Sequence, residues 1–133
     1  MGIEEYLNKS VLIADDLANM REDLIKILRS LGFTKIKEVH DGKAAWDELR
    51  LGAHYEEPYE IIFLDINMPR MNGLSLLKAL REIDFYKKTP IFIVSTENEK
   101  DVILRAIIYG ATDYILKPYS VNIVKEKILT RLK

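Results

Sequence analysis

The stretch Ile61-Ile62-Phe63-Leu64-Asp65-Ile66-Asn67-Met68-Pro69 constrains the fold more than any other part of the chain. Four apolar residues run straight into an acid, and a Met-Pro stop follows. The run is too short for a helix of its own. It has no polar face, so it reads as a strand buried on both sides, the pattern of a parallel sheet. A buried strand that ends in a carboxylate is a physical conflict, because an unpaired charge in an apolar interior is too costly to keep. Asp65 is therefore expected at the strand exit, at the mouth of a pocket, with partners supplied from elsewhere.

The rest of the chain supplies similar strand ends. Val11-Leu12-Ile13-Ala14 reads as a buried strand closed by Asp15-Asp16. Asn19 is the expected cap of the next helix, with Glu22 as capping-box partner. Met20, Leu24, Ile27, Leu28 and Leu31 form its inner face, and Gly32 its end. Residues 35–39 alternate, as a strand near the sheet edge does. Asp41-Gly42 turns the chain into a helix carrying Ala45, Trp46 and Leu49, ended by Gly52. A polar connection over 53–59 leads to the central strand. Asn72-Gly73 opens a helix faced by Leu76, Leu77, Leu80 and Ile83. Residues 91–94 form a fourth strand with Ser95-Thr96 at its end. Asn98 is the expected cap of a helix reaching about Tyr109, and Gly110 ends it. A fifth strand over 112–116 runs into Lys117-Pro118, and Ser120 caps a last helix with Val121, Val124, Ile128 and Leu132 inward. Residues 1–9 read as a short lead-in.

Five strands alternating with five helices predict an α/β fold with one parallel sheet covered on both faces. The length of 133 residues fits one domain over 1–133 and suffices for a core. Lysine plus arginine number 20 against 21 acids, so charge offers no case for nucleic acid or an anionic membrane. Cysteine is absent, which excludes disulfide and thiol chemistry and fits a reducing compartment. No run is long enough to span a bilayer, and the N-terminus lacks signal-peptide regions, so a cytoplasmic protein is expected.

In open α/β sheets ligands bind beyond the carboxyl ends of the strands. Those ends carry Asp15, Asp16, Asp65, Ser95, Thr96 and Lys117. Three converging carboxylates cannot all stay ionised unaided. A hard cation such as Mg2+, which takes carboxylate, carbonyl and water oxygens, resolves this. Asp16 and Asp65 are the expected direct ligands, Asp15 the holder of a metal water, and the backbone carbonyl of Asn67 a third oxygen. Lys117 places a second cation opposite. A metal and a lysine flanking one carboxylate form a clamp for a phosphoryl group. The carboxylate can itself be the nucleophile, giving an aspartyl phosphate. The Ser95 hydroxyl would then donate to a phosphoryl oxygen. No glycine-rich nucleotide loop exists, so the donor is expected to be another protein or a small molecule.

Together, Asp15-Asp16, Asp65 with Met68-Pro69 and Gly73, Ser95-Thr96 and Lys117-Pro118 resemble the receiver domain of bacterial response regulators. The resemblance covers about residues 9–133. It implies a CheY-like sheet of order 2-1-3-4-5, related in topology to flavodoxin. It implies that Asp65 accepts a phosphoryl group from a phosphohistidine on a sensor histidine kinase. Asp15 and Asp16 become the acidic pair for Mg2+, Ser95 the switch hydroxyl, and Lys117 a phosphoryl contact before a cis Lys117–Pro118 bond. Tyr114 matches the aromatic switch residue, although an aromatic in a strand is also ordinary packing. Asn67, Glu97 and Tyr114 match the single-domain chemotaxis subtype, whereas Thr96 replaces a smaller residue. No output domain is expected after the last helix. The implied target is a downstream protein, the flagellar motor switch among the candidates, read through the surface of the fourth helix, fifth strand and fifth helix. A monomer is expected.

Two other relay duties fit the same residues: a phosphoryl shuttle and a phosphate sink. A Mg2+-dependent aspartyl phosphohydrolase would share the acids and the lysine. It would also need a second acid two residues after the nucleophile, where Asn67 stands. A flavin module of similar topology would want a phosphate loop where Asp15-Asp16 stand. The helix over 99–109 carries Val102, Ile103, Ala106 and Ile107 as an expected core face, and Leu104, Ile108 and Tyr109 as apolar surface beside it. That surface is either heavily covered or a partner patch. His40 and His54 lack a second ligand nearby and are expected at the surface.

Overall fold

The structure is a computed structural model and describes residues 2–132; Met1 and Lys133, inside the expected domain boundaries, lie outside the described residues. Five parallel strands form one sheet: β1 (Val11–Ala14), β2 (Ile36–Val39), β3 (Ile61–Leu64), β4 (Ile91–Ser95) and β5 (Asp113–Leu116). Their order is β2-β1-β3-β4-β5, with β3 at the centre. Between and after them run α1 (Ala18–Leu31), α2 (Gly42–His54), α3 (Gly73–Leu80), α4 (Lys100–Ile108) and α5 (Val121–Arg131).

Strand alternation divides the core in two. Ile62 and Leu64 point with Leu12 and Ala14 into the layer under α2 and α3. Ile61 and Phe63 point with Val11 and Ile13 into the layer under α1 and α5. All four β3 residues are fully buried, which is why the run has no polar member. Phe63 and Phe92 stack across β3 and β4, with ring centroids 5.1 Å apart. The lead-in is part of this packing: a 3-10 turn over Ile3–Tyr6 buries Ile3 and Tyr6 in the second layer.

Several element ends differ from the sequence expectation. α1 begins at Ala18, after an extended Leu17, and Asn19 does not cap it. The reason lies in the acid pair: Asp15 Oδ1 accepts from the Leu17 N–H at 3.0 Å, an Asx turn that starts the helix early. Its buried face is Leu24, Ile25 and Leu28, with Ile27 and Leu31 partly covered. α4 is capped by Glu99 without a side-chain bond, so Asn98 does not cap it either. α2 runs past Gly52 to His54. Gly52 instead admits the returning chain: a Cβ there would lie 2.9 Å from the Glu57 carbonyl oxygen.

α3 stops at Leu80, before Ile83. Arg81 ends it by turning its guanidinium onto the loop that follows. It donates to the carbonyls of Tyr86 and Thr89 at 2.7 Å and of Gly110 at 2.9 Å. Ile107 and Val121, expected inward, are exposed by 55% and 41%, because α4 packs mainly through Ala106 and α5 through Val124 and Ile128. Gly32 and Gly110 terminate their helices with φ of 113° and 103°, a region that favours glycine. Ser120 caps α5 by accepting from the Ile123 N–H.

Phe63 fills the central strand with no exposed surface. Phe63→Ala should lower unfolding free energy by about 3–5 kcal/mol in urea titrations. A loss below about 1 kcal/mol would contradict the close packing described.

Candidate functional site: an acid pocket at the strand ends

β1 and β3 pair in register, Ala14 opposite Leu64, so their next residues leave the sheet side by side. The Asp65 N–H donates to the Ala14 carbonyl at 2.9 Å, which locks that register at the exit. Asp15 and Asp65 are buried there and Asp16 is exposed. Carboxylate oxygens of the three acids lie within 4.8 Å of one another.

Lys117 arrives from the end of β5, its N–H bonded to the Ser95 carbonyl at 2.9 Å. Its Nζ lies 2.7 Å from Asp15 Oδ2 and 3.3 Å from Asp65 Oδ2. The Lys117–Pro118 peptide is cis, as the resemblance implied. Asp65 Oδ1 accepts from the Ile66 N–H at 2.8 Å. One buried lysine therefore faces two buried carboxylates and a third at the rim. Burial raises the Asp65 carboxyl to about 6; the Asp15 charge adds to this, while Lys117 and the Ile66 N–H oppose it.

The loop after β3 is pinned from three sides. The Gly73 N–H donates to the Ile66 carbonyl at 2.9 Å. A Cβ on Gly73 would collide with the Asp65 carbonyl oxygen, and one on Gly42 with that of Met71. Both helix starts thus approach the loop closely because neither first residue has a side chain. Asn72 caps α3 by accepting from the Ser75 N–H.

At the opposite rim, several groups converge on Glu97. Ser95 is fully buried, and its Oγ accepts from the Glu97 N–H at 3.1 Å. The Tyr114 hydroxyl donates to the Glu97 carbonyl at 2.7 Å, with the ring buried. Burial raises the Tyr114 phenol above its ordinary value. Asn67 is exposed and its side-chain amide donates to Glu97 Oε1 at 3.2 Å. Thr96 is exposed beside them.

Two cations escaped the sequence reading. Arg21 reaches the Asp15 carbonyl, and Arg81 ties α3 to the start of β5. The signal for Arg21 was a cation two residues after the expected cap of a helix that follows two acids. His40 is exposed, with a side chain 3.7 Å from Asp41. Beyond the pocket, a groove of about 470 Å³ runs between α4, β5 and α5, lined by Ile103, Ile107, Tyr114, Leu116 and Ile123. Ile107 and Leu116 stand exposed along that groove; of the apolar surface expected on α4, Leu104 and Ile108 are exposed, whereas Tyr109 is half-buried against the core.

A doubly wound parallel sheet with an acid pocket at its switch point defines the class. The response regulator receiver domain matches residues 11–129, and the chain belongs to that family. It is 36% identical over 118 residues to the chemotaxis protein CheY of Pseudomonas aeruginosa, covering 89% of this chain and 91% of that one. It is 34% identical over 128 residues to CheY-3 of Vibrio cholerae, covering 95% of each. Among solved structures, the CheX-CheY-BeF3-Mg2+ complex from Borrelia burgdorferi superposes with a TM-score of 0.85 at 27% identity, covering 100% of this chain and 96% of that one. Among the described residues no helix is long and apolar enough to cross a membrane.

A carboxyl group raised to about 6 is a stability statement. The folded state holds the proton more tightly than the unfolded chain. That contribution is fully present below the usual carboxylate range and is lost as pH rises through about 6. In metal-free buffer, Asp65→Asn should therefore stabilise the fold at pH 8 by roughly 1–3 kcal/mol. The gain should shrink at pH 4. Equal gains at both pH values would contradict the assignment of the strain to the Asp65 charge.

Proposed function

We propose that residues 1–133 form one receiver domain whose phosphoacceptor is Asp65, in a chemotaxis-type signalling pathway of the cytoplasm. The observation that carries this reading is the arrangement of Lys117 and the acids: one buried cation 2.7 Å and 3.3 Å from Asp15 and Asp65, and an Asp16 oxygen within 4.8 Å of oxygens of those two carboxylates. The donor set is all oxygen and carries more negative charge than Lys117 balances, which fits a hard divalent cation such as Mg2+. Asp16 and Asp65 would hold the ion directly, with the Asn67 backbone carbonyl, and Asp15 would hold one of its waters. When bound, the ion supplies charge neutralisation for phosphoryl oxygens.

The group transfer is a displacement at phosphorus. A carboxylate oxygen of Asp65 forms the new P–O bond, the P–N bond to a histidine kinase imidazole breaks, and the imidazole nitrogen keeps the electron pair and takes a proton. Lys117 holds an oxygen of the incoming phosphoryl group, exchanging part of its contact with Asp65 for it. Ser95 Oγ, at the end of β4, turns its hydroxyl hydrogen to another. Glu97 carries the readout: its N–H and carbonyl are bonded to Ser95 and Tyr114, the two switch residues. Movement of Ser95 therefore bears on Tyr114 and on the start of α4. The α4–β5–α5 groove, with its exposed Ile107 and Leu116, is the surface whose population shifts for a downstream protein. The chain works as a monomer, and a flagellar motor switch component is one such target. The hydrolase reading is disfavoured because the Asn67 amide is far too weak an acid to protonate a leaving group, and it donates to Glu97 instead.

Acetyl phosphate tests this directly. Intact mass should show one phosphoryl adduct with Mg2+, none with EDTA, and none on Asp65→Asn. Lys117→Met should slow adduct formation by about 100-fold, the scale of losing one preorganised donor. An adduct on Asp65→Asn equal to wild type would overturn the assignment. Steady release of phosphate from varied phosphoesters would favour the hydrolase.

A further inference from the structure

Asp15 and Asp16 are held very unequally. Asp15 is fixed at both carboxylate oxygens, Oδ1 by the Leu17 N–H at 3.0 Å and Oδ2 by Lys117 at 2.7 Å. Asp16 is exposed, and among the described residues its carboxylate accepts no hydrogen bond. Yet Asp16 must present an oxygen within 4.8 Å of those of Asp15 and Asp65. Its position has to come from its backbone.

That backbone has a dedicated clamp. The Asp15 carbonyl and the Asp16 nitrogen belong to one planar peptide unit, so whatever fixes that carbonyl fixes the plane from which Asp16 departs. Arg21 Nη1 donates to the Asp15 carbonyl at 2.8 Å. The same guanidinium donates through Nε to Glu38 Oε1 at 2.8 Å. Glu38 lies on β2, paired with Ile13 of β1. Arg21 is only 14% exposed along its side chain, although it sits on the first turns of a helix with an open outer face. A planar fork with two anchored donors has little freedom left.

We propose that Arg21, anchored by Glu38, is a positioning residue for the cation site: it sets the Asp15–Asp16 peptide plane and so holds the Asp16 carboxylate in place for a divalent cation. This rests on the proposed reading of the acid pocket as a Mg2+ site. Two opposed effects make the sign of the result decisive. As a nearby positive charge, Arg21 repels a cation, and its removal would tighten Mg2+ binding. As a clamp, its removal loosens Asp16 and weakens Mg2+ binding. Outer groups that orient metal ligands typically change affinity by about 10–100-fold, and a clamp acting through the backbone belongs at the lower end.

Isothermal titration with MgCl2 is the test, on wild type, Arg21→Ala, Arg21→Lys, Glu38→Gln and Asp16→Asn, with metal-free melting curves alongside. The expected result is a Mg2+ dissociation constant raised about tenfold in Arg21→Ala. Arg21→Lys should recover part of it, since one ammonium cannot span both partners as the fork does. Glu38→Gln keeps the carbonyl contact with a weaker anchor and should give a smaller loss; it also serves if Arg21→Ala does not fold. Acetyl phosphate labelling should need more Mg2+ in Arg21→Ala but reach a near wild-type rate at saturation. Unchanged or tighter Mg2+ binding in Arg21→Ala and Glu38→Gln would overturn the proposal while leaving the cation site intact. No Mg2+ binding to wild type, or undiminished binding to Asp16→Asn, would overturn the cation reading and this proposal with it.

Discussion

Two buried carboxylates share one buried lysine, and most of the molecule is arranged around that imbalance. Lys117 contacts both Asp15 and Asp65, each almost wholly buried, and a third acid waits at the rim. Such a group is expensive to assemble: burial alone raises the Asp65 carboxyl. It persists because the surrounding sheet leaves the side chains no other place. The register of β1 on β3 puts Asp15 beside Asp65, and the β4–β5 ladder delivers Lys117 through the Ser95 carbonyl. The strain is thus stored at a site where the divalent cation proposed for it would relieve it.

The neighbouring parts act as a frame. Gly42 and Gly73 let two helices close on the loop after Asp65, which fixes the backbone around the carboxylate. Arg21 and Glu38 do the same for the loop after β1. The far rim is built differently. Ser95, Asn67 and Tyr114 all meet at Glu97, a half-buried residue of the loop that leads into α4, a helix no side chain caps. A tightly framed acid pocket beside a helix start without a side-chain cap suits the switching proposed for it. The uncovered apolar side of α4 continues from that start.

Much of the fold was legible because a parallel sheet covered on both faces writes unbroken apolar runs. β1, β3 and β4 could be read as strands from those runs alone, and the polar residue after each marked the site edge. Asp15, Asp16, Asp65 and Lys117, which the structure brings together, were among the residues singled out. What escaped depends on side chains acting over a distance. The Asx turn of Asp15 starts α1 before Asn19, so a local capping signal lost to a nearer one. Arg81 stops α3 by gathering carbonyls from distant segments, which no periodicity reveals. Ile107 and Val121 fit inward helical stripes, yet their helices pack through smaller contact lines. Arg21 sits among many charged helix residues and differs from them only by what it reaches.

The central claim is that Asp65 itself carries the phosphoryl group. Reduction of acetyl phosphate-treated protein with borohydride converts an acyl phosphate to homoserine and leaves other carboxylates untouched. Peptide mapping by mass spectrometry then reads the position. Conversion at Asp65 alone, dependent on Mg2+ during labelling, is the result this account predicts. Conversion at Asp15 or Asp16, or a label retained on a histidine or serine with Asp65 unmodified, would contradict it.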